Sequence, residues 1–402
     1  MAVEIRPITP EELDEFKRVA GNALVMNPDT FVGMRPEFTL CAFEDGKLTT
    51  SYAAWPFMMR LNGTAVPVAA VTTVGTLPVY RRRGYLRKVT ARYFQQLHEQ
   101  GERAIAILFA SRAAIYQRYG YAVVSTNVSY TMDPRYLQFA FPSSATGTFR
   151  ELGDDDFPLL VNLYRSFREE RTGLIHRGRE MWYASALAAP PSGGFLHRVV
   201  YEEDGEPQGY LIYTTQPGSA QVPGSAQAPG NSITIRDLAW LTSSAYRAVW
   251  DYFASMDIIE RITWGRVPSD DPLPHLLLEP RMLRVTSSDG ILGRIVDVER
   301  ALPSRCYDEE AVLTFGIHDD FCPWNQGGWK LETSPEGSSI THTSETPQVV
   351  MPVSTLAMLV FGQISATEAA RMARLEANEP DALPMWDRTM HTRYRPICTD
   401  MF

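Results

Sequence analysis

The sequence has little cysteine, and the cysteines it has form no pattern. Four occur in 402 residues, at Cys41, Cys306, Cys322 and Cys398, and no two of them have the close spacing of metal ligands. Reduced, buried thiols are therefore predicted, with neither a zinc site nor a disulfide framework. The seven histidines add no metal or catalytic pattern, because none stands at a telling distance from a cysteine or an acidic residue.

The sequence also lacks long apolar runs and an excess of positive charge. No segment approaches the roughly 20 apolar residues of a transmembrane helix, and residues 1–7 lack the cationic flank of a secretion signal. A cytoplasmic protein without a membrane span is expected. The net charge of −9 disfavours non-specific nucleic-acid binding and favours cationic small molecules such as amines.

What the sequence does contain is enough apolar material, 45% of its residues, for two to four domains. We predict a first domain at residues 1–150, in which strand and helix signals alternate. The predicted elements are a helix at 11–19, strands at 48–52 and 58–61, a turn at Asn62-Gly63 into a strand at 65–74, a helix at 84–100 that Gly101 ends, a strand at 104–110, a short helix at 113–119 and a strand at 121–130.

A second domain is predicted at residues 151–286, with a plan related to the first. Its strand at 233–241 leads directly into a helix at 245–256, as the strand at 68–77 leads into the helix after Gly84. The preceding strand, at 209–215, is followed by Pro-Gly-Ser-Ala-Gln at 217–221 and again at 223–227, a composition typical of a flexible hairpin loop.

A third domain of α+β type is predicted at residues 287–402. Its predicted elements are strands at 293–298, 311–317, 329–333 and 349–351, followed by helices after Ser354 and Thr367.

The segment Arg81-Arg82-Arg83-Gly84-Tyr85-Leu86 joins the end of a strand to the start of a helix. Free backbone N–H groups and the positive end of the helix dipole favour an anion at such a turn. Glycine lets a ligand approach the backbone closely, and arginines add charge-assisted hydrogen bonds to phosphate. The turn therefore predicts a nucleotide site, although a solvated basic helix start would have the same sequence. The second domain has Ser243-Ser244-Ala245-Tyr246 at the matching point, which predicts no phosphate site there.

The turn resembles the Arg/Gln-x-x-Gly-x-Gly/Ala motif of the GNAT superfamily of N-acetyltransferases, with leucine at Leu86 in place of a small residue. The whole chain resembles the Eis family within that superfamily. The resemblance is carried by Val79-Tyr80-Arg81-Arg82-Arg83-Gly84, by Ala110-Ser111 with residues 115–121, by residues 271–277 and by the closing Phe402. It implies an α/β (α+β) fold class, with two tandem acetyltransferase-like (GNAT) domains followed by a sterol-carrier-protein-like domain.

The resemblance also implies acetyl-CoA as cosubstrate, no metal, and a set of site residues. The cosubstrate contacts carried over by position are Val74, Gly75, Thr76, Arg82, Arg83, Gly84, Tyr85, Leu86, Arg87, Ser111 and Arg112. The general acid falls on Tyr116 and the base on the terminal carboxylate of Phe402. From the residues alone, Tyr119 and Tyr121 rival Tyr116, and each of the three would serve equally well as a core tyrosine.

The expected reaction is acetyl transfer to a small-molecule amine by direct attack in a ternary complex. The acceptor is left open, with polyamines and aminoglycosides as family precedents, and the candidate acceptor-side residues are Asn22, Asn27, Asp29, Phe31 and Glu37. A homohexamer is implied by the family. The alternative is a lipid- or protein-binding module built on the acyl-CoA-binding scaffold.

Overall fold

The computed structural model describes residues 3–141, 146–191, 193–218 and 230–402. Its strands are β1 Val3–Arg6, β2 Cys41–Glu44, β3 Lys47–Leu61, β4 Thr64–Thr76, β5 Ile105–Leu108, β6 Ala122–Val123, β7 Thr126–Met132, β8 Thr148–Glu151, β9 Phe195–Glu203, β10 Glu206–Gln216, β11 Ser232–Trp240, β12 Arg261–Val267, β13 Arg284–Asp289, β14 Leu292–Ile295, β15 Ala311–His318, β16 Gly327–Ser334, β17 Gly337–His342, β18 Val349–Pro352 and β19 Glu376–Ala377.

Its α-helices are α1 Leu13–Leu24, α2 Tyr85–Gln100, α3 Ala113–Gln117, α4 Phe157–Arg168, α5 Arg179–Ala184, α6 Ser243–Ala254, α7 Leu273–Leu276, α8 Val298–Ala301, α9 Val353–Phe361, α10 Ala366–Arg371 and α11 Leu383–Thr389. Among the described residues, no helix is both long and apolar enough to cross a membrane.

The chain divides into two compact units. Unit 1 contains the residues up to Ser125, Gly290–Arg393 and Phe402, and unit 2 contains Thr126–Asp289 and Tyr394–Met401. The N-terminal sheet of unit 1 has the order β1-β2-β3-β4-β5-β14-β6, and its second sheet has the order β17-β16-β15-β18-β19. The sheet of unit 2 has the order β13-β7-β12-β11-β10-β9-β8. The predicted fold class of two GNAT domains and a sterol-carrier-like domain fits this division into three mixed sheets.

The hairpin of β3 and β4 is the longest element of the N-terminal sheet. Its turn is Asn62-Gly63, as predicted, and both residues have a positive φ, 44° and 90°, which the right-handed twist of a two-residue hairpin requires. The two short strands predicted at 48–52 and 58–61 are instead one strand, β3, since the residues between them also pair with β4. A long hairpin therefore carries the centre of this sheet.

Two predicted strands differ in the structure, one because it is divided and the other because it pairs in a different sheet. The strand predicted at 121–130 is divided, with Ala122–Val123 in the N-terminal sheet and Thr126–Met132 in the sheet of unit 2. The strand predicted at 293–298 as part of a third domain is β14, which pairs antiparallel with β5 and β6 in the N-terminal sheet. Local periodicity predicts that a segment is a strand but not its partner, because pairing depends on distant residues.

The repeat predicted between the first two domains is present in the pairing of the strands. In unit 1, β4 pairs in parallel with β5 and precedes α2. In unit 2, β11 pairs in parallel with β12 and precedes α6. The loop predicted at 217–221 and 223–227 lies largely outside the described residues.

Candidate functional site

The candidate site lies at the edge of the N-terminal sheet where β4 and β5 end. Parallel pairing joins Val68–Ala70 to Ile105–Ile107, and β4 then continues to Thr76 past the paired region. Because parallel strands end at the same edge of a sheet, α2 after β4 and α3 after β5 both begin at this edge. The strand backbone beyond Ala70 is therefore available to an extended ligand between the two strand ends.

A β-bulge lies in β4 at this place. Ser51 pairs with Gly75 and Ala53 with Thr72, so two residues of β4 face Tyr52 alone. Thr73 takes φ 49°, a conformation that β-branched residues rarely adopt, and the Ser51 hydroxyl donates to its carbonyl at 2.8 Å. Strained bulges of this kind commonly mark functional sites because they redirect backbone groups.

Val74, the second residue of the bulge, is half-buried, as are Gly75 and Thr76 after it. A Cβ on Gly75 would lie 2.6 Å from the Ala23 Cβ, so only glycine lets the end of α1 approach the strand. The Thr76 hydroxyl bonds to that of Thr50 at 3.0 Å. These contacts fix the direction in which the end of β4 presents its backbone.

The start of α2 fits a diphosphate. Gly84 is the N-cap residue with φ 80°, and no side chain in the described part of the chain caps the helix. The first N–H groups therefore lack a capping side chain, which is the usual condition for binding an anion at a helix start. Leu86, where the family has a small residue, packs against the hydrophobic core, so its side chain does not occupy the helix start.

The arginines of the turn have different roles. Arg81 donates to the carbonyls of Thr76 and Ala23, at 3.1 and 3.2 Å. Arg83 pairs with the buried carboxylate of Glu44 at 3.0 Å. Arg82 has φ 64° and is exposed, and Arg87 lies with its guanidinium 5.7 Å from the centre of the Phe321 ring. Arg81 and Arg83 thus shape the turn, and Arg82 and Arg87 are the arginines best placed to meet a phosphate.

Ser111 and Arg112 are exposed between β5 and α3, and Tyr116 is buried on α3. Burial raises the pKa of Tyr116 to about 12. Its ring meets that of Tyr121 edge-on at 6.0 Å. Of the two rivals, Tyr121 is fully buried, and Tyr119 packs its ring 5.1 Å from that of Phe321. All three tyrosines are thus buried, and Tyr116 is the one nearest in sequence to the end of β5.

Phe402 belongs to unit 1 and its ring is half-buried. The ring centre lies 5.7 Å from that of Phe57 on β3 and 5.2 Å from that of Phe109, the residue after β5. Aromatic contacts of this kind contribute beyond the area they bury. They hold the last residue of the chain at the end of β5, the edge where α3 also begins.

Sequence reasoning missed the bulge at Thr73 and the two partners of the Phe402 ring. A threonine in a strand gives no sign of a positive φ. Trp55 and Phe57 are two residues apart on β3, which predicts that their side chains lie on the same face of the sheet. Nothing in the sequence predicts that Phe402 packs on that face.

Comparison with known proteins gives the family. Residues 4–124 and residues 173–295 each match an acetyltransferase (GNAT) domain, and residues 298–399 match a sterol carrier protein domain. An uncharacterised N-acetyltransferase of Streptomyces griseus subsp. griseus is 30% identical, over 100% of both chains. The N-acetyltransferase Eis of Mycobacterium tuberculosis is 27% identical, over 80% of this chain and 77% of that one.

Solved structures of N-acetyltransferases have the same fold. Eis1 from Mycobacterium abscessus superimposes with a TM-score of 0.83 at 28% identity, over 99% of this chain and 100% of that one. A GCN5-related N-acetyltransferase from Anabaena variabilis shares the fold, with a TM-score of 0.87 at 22% identity over 100% of both chains. The chain belongs to the Eis-like family of GNAT N-acetyltransferases and is an acetyl-CoA-dependent N-acetyltransferase.

Proposed function

We propose that this enzyme acetylates a small-molecule amine by direct attack in a ternary complex, with Tyr116 as general acid and the Phe402 carboxylate as base. The observation that supports this most is the packing of the Phe402 ring on Phe57 and Phe109. It brings the last residue to the end of β5, where the segment carrying Tyr116 also begins. The lipid- or protein-binding alternative finds no support in the comparisons.

The cosubstrate would lie along the edge described above. Acetyl-CoA supplies the acetyl group as a thioester. Arg82, Arg87 and the first N–H groups of α2 would hold its diphosphate, with Arg83, Tyr85 and Leu86 completing the turn. Val74, Gly75 and Thr76 would offer backbone groups to the extended arm, and Ser111 and Arg112 would contact it from the other strand.

The base has to overcome the charge of the acceptor. An amine of pKa ~10.4 is only about one part in 2,500 neutral at pH 7, a cost of roughly 4.6 kcal/mol. A carboxylate of pKa ~3.5 cannot cover this cost by basicity. The Phe402 carboxylate would instead hold the ammonium in place and accept its proton as the new bond forms.

The acid is suited to a narrower task. Because burial raises the pKa of Tyr116 to about 12, its hydroxyl stays protonated at every working pH. It would donate that proton to the departing thiolate and recover it from solvent or the acceptor side.

Several finer points of the proposal rest on the family resemblance. The acceptor would meet Asn22, Asn27, Asp29, Phe31 and Glu37, of which Asp29 and Glu37 are exposed and Phe31 is buried. Polyamines and aminoglycosides are the acceptors to test first. We also propose a homohexamer and a cytoplasmic location.

The test is release of free CoA from acetyl-CoA with a panel of amines. Release is expected with some amine and not without one, and it should fall strongly in Tyr116→Phe and in a chain ending at Met401. Release that needs no amine, or that survives both changes, would contradict the proposal. A lipid that copurifies, together with no effect of acetyl-CoA on the melting temperature, would favour the alternative.

A further inference from the structure

Unit 2 contains a cavity of about 290 Å³ at the place that corresponds to the proposed cosubstrate cleft of unit 1. Strands β11 and β12 pair in parallel over Ser232–Ile235 and Arg261–Trp264, and the cavity opens where this pairing stops. β11 also bulges there, since Ile212 pairs with Asp237 and Tyr213 with Ile235. In both pairs, β4 with β5 and β11 with β12, the parallel pairing stops before the first strand ends, and that first strand contains a bulge.

The helix that follows excludes a nucleotide. The Thr242 side chain accepts a hydrogen bond from the Ala245 N–H at 3.1 Å and caps α6. A capped helix start lacks the free donors that bind phosphate. The cavity is also at the lower limit of ligand pockets, which typically measure ~300–1,000 Å³. Its occupant must therefore be smaller than a CoA thioester.

The walls combine flat rings with positive charge. Phe167, Trp240 and Trp264 line the cavity, and the rings of the two tryptophans lie 6.4 Å apart at an interplanar angle of 76°. Arg236 and Arg266 line it as well and are half-buried. Each donates one hydrogen bond to a carbonyl, of Ser185 and Thr399 respectively, which leaves further N–H groups for a ligand.

The acidic residues nearby are already neutralised. Asp237 lines the cavity, ion-pairs with Arg177 and accepts from the Tyr210 hydroxyl at 2.6 Å. Asp400 ion-pairs with the same Arg177 at 2.9 Å. Both carboxylates thus pair with Arg177, and neither ion pair involves the cavity arginines Arg236 and Arg266. Arg236 and Arg266 are half-buried, and each keeps N–H donors beyond the one bond to a carbonyl, so the cavity favours an anion.

We propose that this cavity in unit 2 binds a small planar monocarboxylate, an aromatic acid, with its carboxylate on Arg236 and Arg266 and its ring among Phe167, Trp240 and Trp264. Guanidinium groups match the two oxygens of a carboxylate, and the apolar rings match a flat apolar body. The exposed lining residues Thr234 and Gly265 give access from solvent. This proposal concerns the cavity of unit 2 alone and does not rest on the proposed acetyl transfer.

The test measures the binding of benzoate, the probe, to the full chain by saturation-transfer NMR. Benzyl alcohol is the neutral counterpart of the probe, and cyclohexanecarboxylate is the non-planar anion. Benzoate should bind more tightly than both, with acetyl-CoA present or absent. No binding at roughly 10 mM, where a ligand of this size with ordinary efficiency is detectable, would overturn the proposal.

The variants separate this site from others. Arg236→Gln keeps a donor for the Ser185 carbonyl and should weaken benzoate binding about tenfold or more, the usual effect of losing one charge-assisted bond. Arg236→Lys should restore part of that loss, and Arg284→Gln, an exposed arginine of the same unit, should have no effect. Equal effects of Arg236→Gln and Arg284→Gln, or displacement of benzoate by acetyl-CoA, would place the probe elsewhere and overturn the proposal.

Discussion

Tyr116 stays protonated over the whole working range, because burial raises its pKa to about 12. We expect Tyr116→Phe to lower kcat by about 10²–10⁴, with the pH profile from about pH 6 to about pH 9 unchanged in shape, because the lost group does not titrate there. Steady-state rates across that range check this. Tyr119→Phe, three residues along the chain, is the control and should keep most of the activity. A change in the shape of the profile would count against Tyr116 as the acid.

The Phe402 carboxylate can be moved while its ring is kept. Adding one alanine after Phe402 leaves the ring on Phe57 and Phe109 but places the carboxylate one residue further away. We expect kcat to fall by about 10² or more, with little change in the KM for acetyl-CoA. Met401→Leu, which keeps the terminal group on Phe402, should remain active. A fully active extended chain would show that this carboxylate is not the base.

Single residues were partly predictable. Gly84 was predicted to let a ligand approach the backbone closely, and its φ of 80° adds a second reason for glycine that the sequence did not show. The arginine run predicts three phosphate-binding side chains, and the structure adds that Arg81 and Arg83 also bond within the chain. A run of like charges cannot show which members meet carbonyls or acids of distant segments. The roles of Tyr116 and Phe402 came from the resemblance alone and stay predictions.

At the scale of elements, α2 has a glycine with positive φ at both ends, which provides a variant and a control. Gly84→Ala and Gly101→Ala both place a Cβ where φ is positive, 80° and 71°, at a cost of about 1–2 kcal/mol each, and the Cβ at position 101 would also lie 3.0 Å from the Arg300 guanidinium carbon. Only the Gly84 change lies at the proposed diphosphate site. We expect a higher Kd for acetyl-CoA in Gly84→Ala and an unchanged Kd in Gly101→Ala, measured by calorimetry. Equal Kd values for the two variants would show that the start of α2 does not bind acetyl-CoA.

A buried carboxylate joins β7, α6 and α7 in unit 2. Asp271 accepts hydrogen bonds from the hydroxyls of Tyr130 and Tyr246, at 3.1 and 2.7 Å, and burial raises its pKa to about 6. The folded state therefore binds this proton more tightly than the unfolded chain. The tighter binding of this proton contributes about 3 kcal/mol at most to the free energy of unfolding. That contribution is largest below about pH 4 and is lost as the pH rises through about 6.

Asp271→Asn should accordingly raise the free energy of unfolding at about pH 7.5 and change it little at about pH 4.5. The amide oxygen keeps an acceptor for the tyrosine hydroxyls. Urea unfolding at the two pH values measures the difference, with the exposed Asp257→Asn as control. A variant that loses stability at the higher pH would show that the carboxylate is needed in its charged form.

Elements with strong local signals were predicted well. The Asn62-Gly63 turn and the limits of α2 follow from glycine, asparagine and apolar periodicity, which act over a few residues. β6, β7 and β14 were not placed correctly, because their short sequences carry no information about which sheet supplies their partners. The same limit applies to the cavity of unit 2, whose walls come from segments far apart in the chain.

At the scale of the whole molecule, β14 comes from residues after 290 but completes the N-terminal sheet, whose other strands come from residues before 125. It pairs with β5 over Leu292–Ile295. A Cβ on Gly293 would lie 2.8 Å from a Val124 methyl group and 3.2 Å from the Phe361 ring. We expect Gly293→Ala to destabilise unit 1 by about 1–3 kcal/mol and to lower its melting temperature with acetyl-CoA bound. Gly337→Ala, on β17 with nothing within 4 Å of the added Cβ, should be nearly neutral.

The insertion of β14 between β5 and β6 also sets an order of events on the ribosome. When Ser125 has been made, the strand that belongs beside β5 is still unmade, and at about 5–20 residues per second it emerges on the order of ten to thirty seconds later. Through that interval β5 presents an open edge, the kind of surface on which nascent chains aggregate. The sheet that holds the proposed cosubstrate cleft is therefore encoded first but finished late, and its maturation depends on how fast translation proceeds through the segment between.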